Sequence, residues 1–203
     1  MVLTCCDSYV SQVLIRELVP FFARCPDIEL AITIDARIFD LSRREADIAV
    51  RALVTGAQPP EHLLGAVVAP LMLANYVAIA HADRLDPERS GTSARWISFD
   101  DRRIHEAMIA ASSYANLPAW GSFSSLEVMV QATREGLGLS MLPTYVGDRE
   151  PHLRRLARPD LRHVANLWLL SHPDLRDNAR FRAMRAAISA VFASQTALFR
   201  GDG

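Results

Sequence analysis

Val2–Cys6 is a short apolar run closed by Asp7-Ser8, and behind it the spacing of apolar positions changes. Val10, Val13, Leu14, Leu18, Phe21 and Phe22 recur at intervals of three and four, which predicts a helix with one buried stripe. Ser8 has a side chain suited to an N-cap, and Pro20 is expected to kink the last turn or mark its end. After the break at Cys25-Pro26-Asp27, Ile28, Leu30, Ile32 and Ile34 alternate in the manner of a strand. A short helix over Ile38–Glu45 and a buried strand, Ile48-Ala49-Val50, follow. Strand–helix–strand–helix–strand within fifty residues predicts a parallel sheet covered by helices.

Gly56–His62 is a loop rich in glycine and proline, followed by two apolar runs, Leu63–Leu73 and Tyr76–Ala80. His81–Arg95 reads as a surface loop, Trp96–Phe99 as a strand, Ile104–Ala111 as a helix, and Asn116–Phe123 as irregular with a short strand near Trp120. Ser124-Ser125-Leu126-Glu127 has the spacing of a capping box. The helix it opens runs to about Glu135, and Gly136 suits its left-handed end. Leu139–Leu142 is a strand stopped by Pro143, Leu153–Arg162 an arginine-rich loop, and Ala165–Leu170 another strand. Pro173-Asp174 starts a last helix, with Phe181, Met184, Ile188, Val191 and Phe192 at helical spacing. The alternation thus runs twice, before residue 74 and from Trp96 to Leu142. Two α/β lobes use all the elements if the C-terminal strand and helix return to the first: residues 1–74 with 165–203, and residues 75–164. Such lobes leave a cleft, and ligands of open α/β sheets sit beyond the carboxyl ends of the strands.

Composition narrows the chemistry. Half of the 203 residues are apolar, enough for a sizeable core, and the net charge of −1 lacks the basic excess with which nucleic-acid binders meet phosphate. All basic residues are arginine, which excludes Schiff-base, phosphate-loop-lysine, kinase-lysine and Ser–Lys chemistry. Cys5, Cys6 and Cys25 are odd in number and form no disulfide framework, so a reducing cytoplasm fits. No secretion signal opens the sequence, and no stretch is apolar enough to span a bilayer. The six histidines are scattered without metal spacing, and neither G-x-G-x-x-G nor G-x-S-x-G is complete. No metal or cofactor is expected.

Leu18–Leu30 (LVPFFARCPDIEL), Ala46–Arg51 (ADIAVR), Gly136–Pro143 (GLGLSMLP), Leu167–Arg176 (LWLLSHPDLR) and Ala179–Arg182 (ARFR) occur in this order across nearly the whole chain. In this ordered set the chain resembles the effector-binding domain of LysR-type transcriptional regulators. The resemblance implies two Rossmann-like lobes in a type II periplasmic-binding-protein-like fold, with two crossovers and a small effector in the cleft between them. It also implies antiparallel dimerisation, as a homodimer or tetramer in the full-length regulator. The family's N-terminal winged helix-turn-helix is absent from this sequence, so DNA contact is expected only through that missing domain, with no membrane partner.

Candidate effector-binding residues follow from the turns. Ser8, with Cys6 and Asp7, lies where the first strand passes into a helix; a helix start offers amides and about half a positive charge to an anion, unless Ser8 is simply a cap facing water. Ser124 and Ser125 begin the main helix of the second lobe, and Phe123 beside them either stacks on a ligand or packs in the core. Arg51 ends the third strand; it pairs with an effector carboxylate through its planar fork or with a structural partner. Ser98, Phe99 and Asp100 follow the second lobe's first strand. Pro143 and Thr144 match the turn that the family uses to line its cleft. Arg154, Arg155, Arg158 and Arg162 read as a solvated face or, alternatively, as an interdomain or acidic-partner contact. The expected function is the sensing of a small, carboxylate-like effector without catalysis. Two alternatives share the fold: a solute-binding protein of a transporter, or a small-acid enzyme using Asp7, Asp100 or His105.

Overall fold

The computed structural model describes residues 1–35, 46–99 and 102–202. The helix expected over Ile38–Glu45 and the candidate Asp100 lie outside the described residues. The chain forms two compact units, Met1–Leu71 with His163–Asp202, and Met72–Arg162.

In the first unit β1 (Val2–Cys5) pairs in parallel with β2 (Ala31–Ile34) and with β3 (Ile48–Val54). The sheet then departs from the all-parallel expectation. β9 (Arg162–Ser171) runs antiparallel to β3, from Ile48 opposite Ser171 to Val54 opposite Ala165, and β4 (Leu64–Ala78) lies next to β9. Strand periodicity sorts the two faces. Leu3, Cys5, Ile48, Val50, Leu167 and Leu169 share one, each at most 1% exposed. Thr4, Ala49, Arg51, Trp168 and Leu170 share the other. Helices α1 (Ser8–Arg24) and α6 (Ala179–Ser194) pack on each other and bury Val10, Leu14, Leu18, Met184, Ile188 and Phe192. Each such side chain contributes roughly 1.5–3 kcal/mol by leaving water. Pro20 sits inside α1, which continues to Arg24. The last helix does not start at Pro173: a 3-10 turn (Pro173–Leu175) comes first, and Asn178 caps α6 by accepting from Arg180 N–H at 3.0 Å. α7 (Thr196–Arg200) closes the chain.

In the second unit, the two apolar runs read apart at Leu63–Leu73 and Tyr76–Ala80 are one strand, β4, which carries the chain from the first unit into the second. Its second half pairs antiparallel with β7 (Ser140–Pro143) and with β8 (Leu153–Arg155). β5 (Trp96–Phe99) and β6 (Ala119–Phe123) are parallel, and a parallel bridge from Trp96 to Leu139 joins β5 to the start of β7. The order is therefore β6–β5–β7–β4–β8. Around it lie α2 (Ala82–Leu85), α3 (Arg102–Ala110), α4 (Leu126–Arg134) and α5 (Thr144–Gly147). His81–Arg95, expected as a loop, contains α2, whose Leu85 is wholly buried in a cluster with Val77, Trp96, Ile109, Leu139 and Leu156. Pro143 ends β7 from within, opposite Leu73.

The arginine-rich segment is paired with acidic side chains and carbonyls, even where, as at Arg158, it stays exposed. Arg154 pairs with Asp86; Arg155 holds both oxygens of Asp148, at 2.8 and 2.5 Å; Arg158 binds Glu88 at 2.8 Å. Arg162 donates to the carbonyls of Met108 and Ala111 at the end of α3. Asp160, in a left-handed conformation (φ 49°), accepts from Asn75 Nδ2 and from the Ser113 amide and hydroxyl. The partners of Arg154, Arg155 and Arg158 lie 7 to 70 positions away in sequence, so no local pattern announced them.

Candidate functional site

Within the first unit, Cys6, Asp7, Ser8 and Arg51 gather at the carboxyl end of β1. The cap of α1 is Asp7, not Ser8: Asp7 has extended backbone and its Oδ1 accepts the Val10 amide at 2.8 Å, while its carbonyl accepts the Ser11 hydroxyl at 3.1 Å. Ser8 is the first helical residue. The shift of one position has a physical reason, since a carboxylate both accepts the amide and offsets the positive pole. Cys6 donates its thiol to Asp7 Oδ2 at 3.4 Å. Burial, and then the Asp7 charge, push that thiol well above its ordinary value; burial also raises Cys5, to about 11. Both sulfurs are protonated and unreactive near neutrality. Replacing Asp7 by alanine is expected to lower stability by about 1 kcal/mol, and Ser8 by alanine by half of that or less, in denaturant melts of the two variants.

Arg51 is 2% exposed and its fork is directed into the sheet. Nη1 donates to the carbonyls of Thr4 (3.0 Å) and Val50 (2.9 Å), and Nη2 to the Thr4 hydroxyl (2.8 Å). Burial lowers its pKa, opposed by Cys6, Cys5 and Asp35, in that order. Arg51 thus clamps β3 to β1. Thr4 and Asp35 escaped the sequence reading. Asp35 lies directly after β2, its amide donating to the Cys5 carbonyl at 2.9 Å. A polar residue immediately after an apolar strand, the signal that singled out Asp7, would have found it.

Within the second unit, Ser98 and Phe99 end β5 and lie opposite Ser122 and Phe123 of the parallel β6. Ser98 is buried and Phe99 is 44% exposed. A bulge at Gly121 (φ 50°) shifts this register. Ser125, not Ser124, caps α4: its hydroxyl accepts the Val128 amide at 3.4 Å and donates to Glu127 at 2.5 Å. The expected reciprocal capping box between Ser124 and Glu127 is therefore replaced by a local pair one residue later. At the other end, Gly136 has φ 72°, and a Cβ there would strike the His81 ring. Phe123, Ser124 and Ser125 come together with Ser98 and Phe99 because β5 and β6 end side by side. Pro143 ends the neighbouring β7 and Thr144 opens α5; both are buried, Thr144 completely. Arg51, expected to end its strand, lies inside β3, because antiparallel pairing with β9 carries that strand on to Val54; the other candidates lie at or just beyond the carboxyl ends of β1, β5, β6 and β7. Among the described residues no group of three His, Cys, Asp or Glu side chains is placed to hold a metal, and no helix is long and apolar enough to cross a membrane.

A profile of the family described as LysR substrate binding domain matches residues 2–193. No curated protein sequence matches the chain. Among solved structures, the effector domain of the transcriptional regulator AmpR of Pseudomonas aeruginosa is similar at 18% identity and TM-score 0.73, over 96% of each chain. The regulatory domain of CrgA, a LysR-type transcriptional regulator from Neisseria meningitidis, is similar at 16% identity and TM-score 0.73, over 94% of this chain and 97% of that one. The OxyR2 E204G regulatory domain from Vibrio vulnificus follows at 16% identity and TM-score 0.67, over 94% of each. At these identities the likeness concerns the fold; the family rests on the profile. The chain therefore belongs to the LysR substrate binding domain family, with that family's type II periplasmic-binding-protein-like fold and the ligand-sensing regulatory role of a LysR-type effector domain.

Proposed function

We propose that this domain senses a small carboxylate-bearing metabolite, taken up at the carboxyl ends of its parallel strands and not transformed. The observation that carries this reading is the β1–α1 turn. There Cys6, Asp7 and Ser8 meet the amino pole of a 17-residue helix, with a buried guanidinium behind them. Helix pole and arginine both favour an anion, and Asp7 tempers them, which favours a ligand that also carries hydrogen-bond donors. Ser98, Phe99, Phe123, Ser124, Ser125, Pro143 and Thr144 form the second unit's own candidate group, and the two units are proposed as lobes I and II.

The sensor acts by preference. An effector biases the regulator only by binding one conformation better than another. DNA contact is assigned to a winged helix-turn-helix domain outside this sequence, and the setting to the cytoplasm. Homo-oligomerisation belongs to the same proposal: α1 exposes Ile15 (52%) and Val19 (60%) one turn apart, and edge strand β2 exposes Ile34 (49%). A solute-binding or enzymatic role is not favoured. Although Cys6 donates its thiol to Asp7, burial and that carboxylate raise the thiol's pKa and disfavour a thiolate nucleophile, and Asp7 is also held by the Val10 amide.

Titration calorimetry of the purified domain against a panel of small carboxylic acids tests this. Saturable binding is expected, with the acid recovered unchanged and affinity falling at least tenfold in Ser8→Asp, which adds a like charge at the pole. Binding confined to cations or bulky apolar ligands, or chemical conversion of the acid, overturns it.

A further inference from the structure

Among the described residues, one titratable side chain in the interior has a buried ring nitrogen without a hydrogen-bonding partner. His105, on α3, is 5% exposed, and its Nε2 is buried with no donor or acceptor in reach. α3 packs against β5, and Ile109, one turn after His105, belongs to the core cluster with Trp96 and Tyr114. Helical spacing puts His105 and Ile109 on the same inward face. Its surroundings offer an imidazolium little. Among the described residues of α3, the charge acting on it is Glu106, which is exposed and favours the protonated ring. β5 brings Trp96, Ile97, Ser98 and Phe99, with no charged group. At the far end of the helix, Arg162 is bound to the Met108 and Ala111 carbonyls beside Asp160, and the Tyr114 hydroxyl is bound to Glu88.

We propose that His105 is an acid-sensitive latch: protonating its buried ring releases α3 from β5 by local opening of the second unit. A neutral imidazole tolerates this burial. A charged one loses hydration and gains no acceptor at Nε2, whereas opening of α3 restores water to that nitrogen. Burial lowers the histidine's pKa, with Glu106 opposing. The sign follows. The folded value lies below the ordinary value of 6.5, so the open state binds the proton more readily. Closure is fully favoured above 6.5 and weakens as the pH falls through that value towards the folded one. Arg162 and Asp160 hold the C-terminal end of α3, so the opening is expected to begin at its first turn.

Hydrogen exchange of the intact 203-residue chain tests the latch. After correction for intrinsic chemistry, protection of the α3 amides is expected to fall about threefold or more between pH 7 and pH 5, while that of α1 changes less than twofold. In His105→Gln the loss between the two pH values should shrink below twofold. Should that variant fail to fold, NMR titration of the wild-type ring decides: midpoint protonation below 6.5 supports the latch. A midpoint at or above 6.5, or α3 protection that does not change with pH, overturns it.

Discussion

Gly147→Ala is expected to be the most damaging single-methyl change in the second unit, lowering stability by about 3 kcal/mol or preventing folding. Gly147 closes α5, and a Cβ at this position would fall inside van der Waals contact with the ζ and both ε carbons of the Tyr76 ring. The ring has no retreat. Tyr76 is wholly buried on β4, and its hydroxyl donates to Asp148 at 2.8 Å, whose carboxylate is gripped on both oxygens by Arg155. Burial and the Asp148 carboxylate raise the Tyr76 pKa, so the phenol stays a donor throughout the accessible range. Relief would require moving α5, β4 and the Arg155 pair together. For a domain of this size, about 3 kcal/mol corresponds to a melting point roughly 6–12 °C lower, readable by circular dichroism. Gly91→Ala is the contrast. Nothing stands within 4 Å of its Cβ position, so only the strain of φ 73° acts, on the order of 1 kcal/mol. Equal melting points for the two variants would refute the packing argument.

Arg51→Met should destabilise the first unit by about 2–4 kcal/mol, for a different reason. Three hydrogen bonds from a charged group vanish at once, and the Thr4 hydroxyl in the buried sheet loses its donor. The gain from no longer burying a charge offsets part of this, because methionine is apolar and nearly as long. Arg51→Ala should cost more, since it adds a cavity opposite Trp168. Arg51→Lys recovers little: an ammonium lacks the planar fork that reaches the Thr4 carbonyl, the Thr4 hydroxyl and the Val50 carbonyl together. Chemical denaturation of the three variants orders them, and a methionine variant as stable as wild type would show that Arg51 does not hold β1 to β3.

These two residues mark where sequence reading reaches and where it stops. Arg51 stood out as a basic residue ending an apolar strand, which left its partner open between a ligand and the protein. The parallel pairing of β1 with β3, which brings Thr4 beside it across 47 positions, supplies a protein partner that the sequence did not show. Gly147 carried no signal at all, because its constraint comes from Tyr76 on another element. The helix caps missed by a single position, since Asp7 beside Ser8 and Ser125 beside Ser124 are equally good acceptors and the choice depends on where the strand releases the chain. His105 was visible as a histidine in a helix, but its missing partner is a property of the packed interior.

Periodicity in the chain determined much of the element set: the second half of the alternating Ile28–Ile34 stretch, which forms β2 from Ala31, the three-and-four spacing of α1 and α6, the strand Trp96–Phe99 and the glycine-terminated α4. These depend on neighbours within a few residues, which a linear pattern records. Local pattern did not determine strand direction or the fusion of two apolar runs into β4. Nor did it place the ion pairs that turn Arg154, Arg155, Arg158 and Arg162 from a supposed solvated face into clamps. Those were decided by contacts between residues far apart in sequence, where burial strengthens each polar pairing and leaves an unmatched group costly.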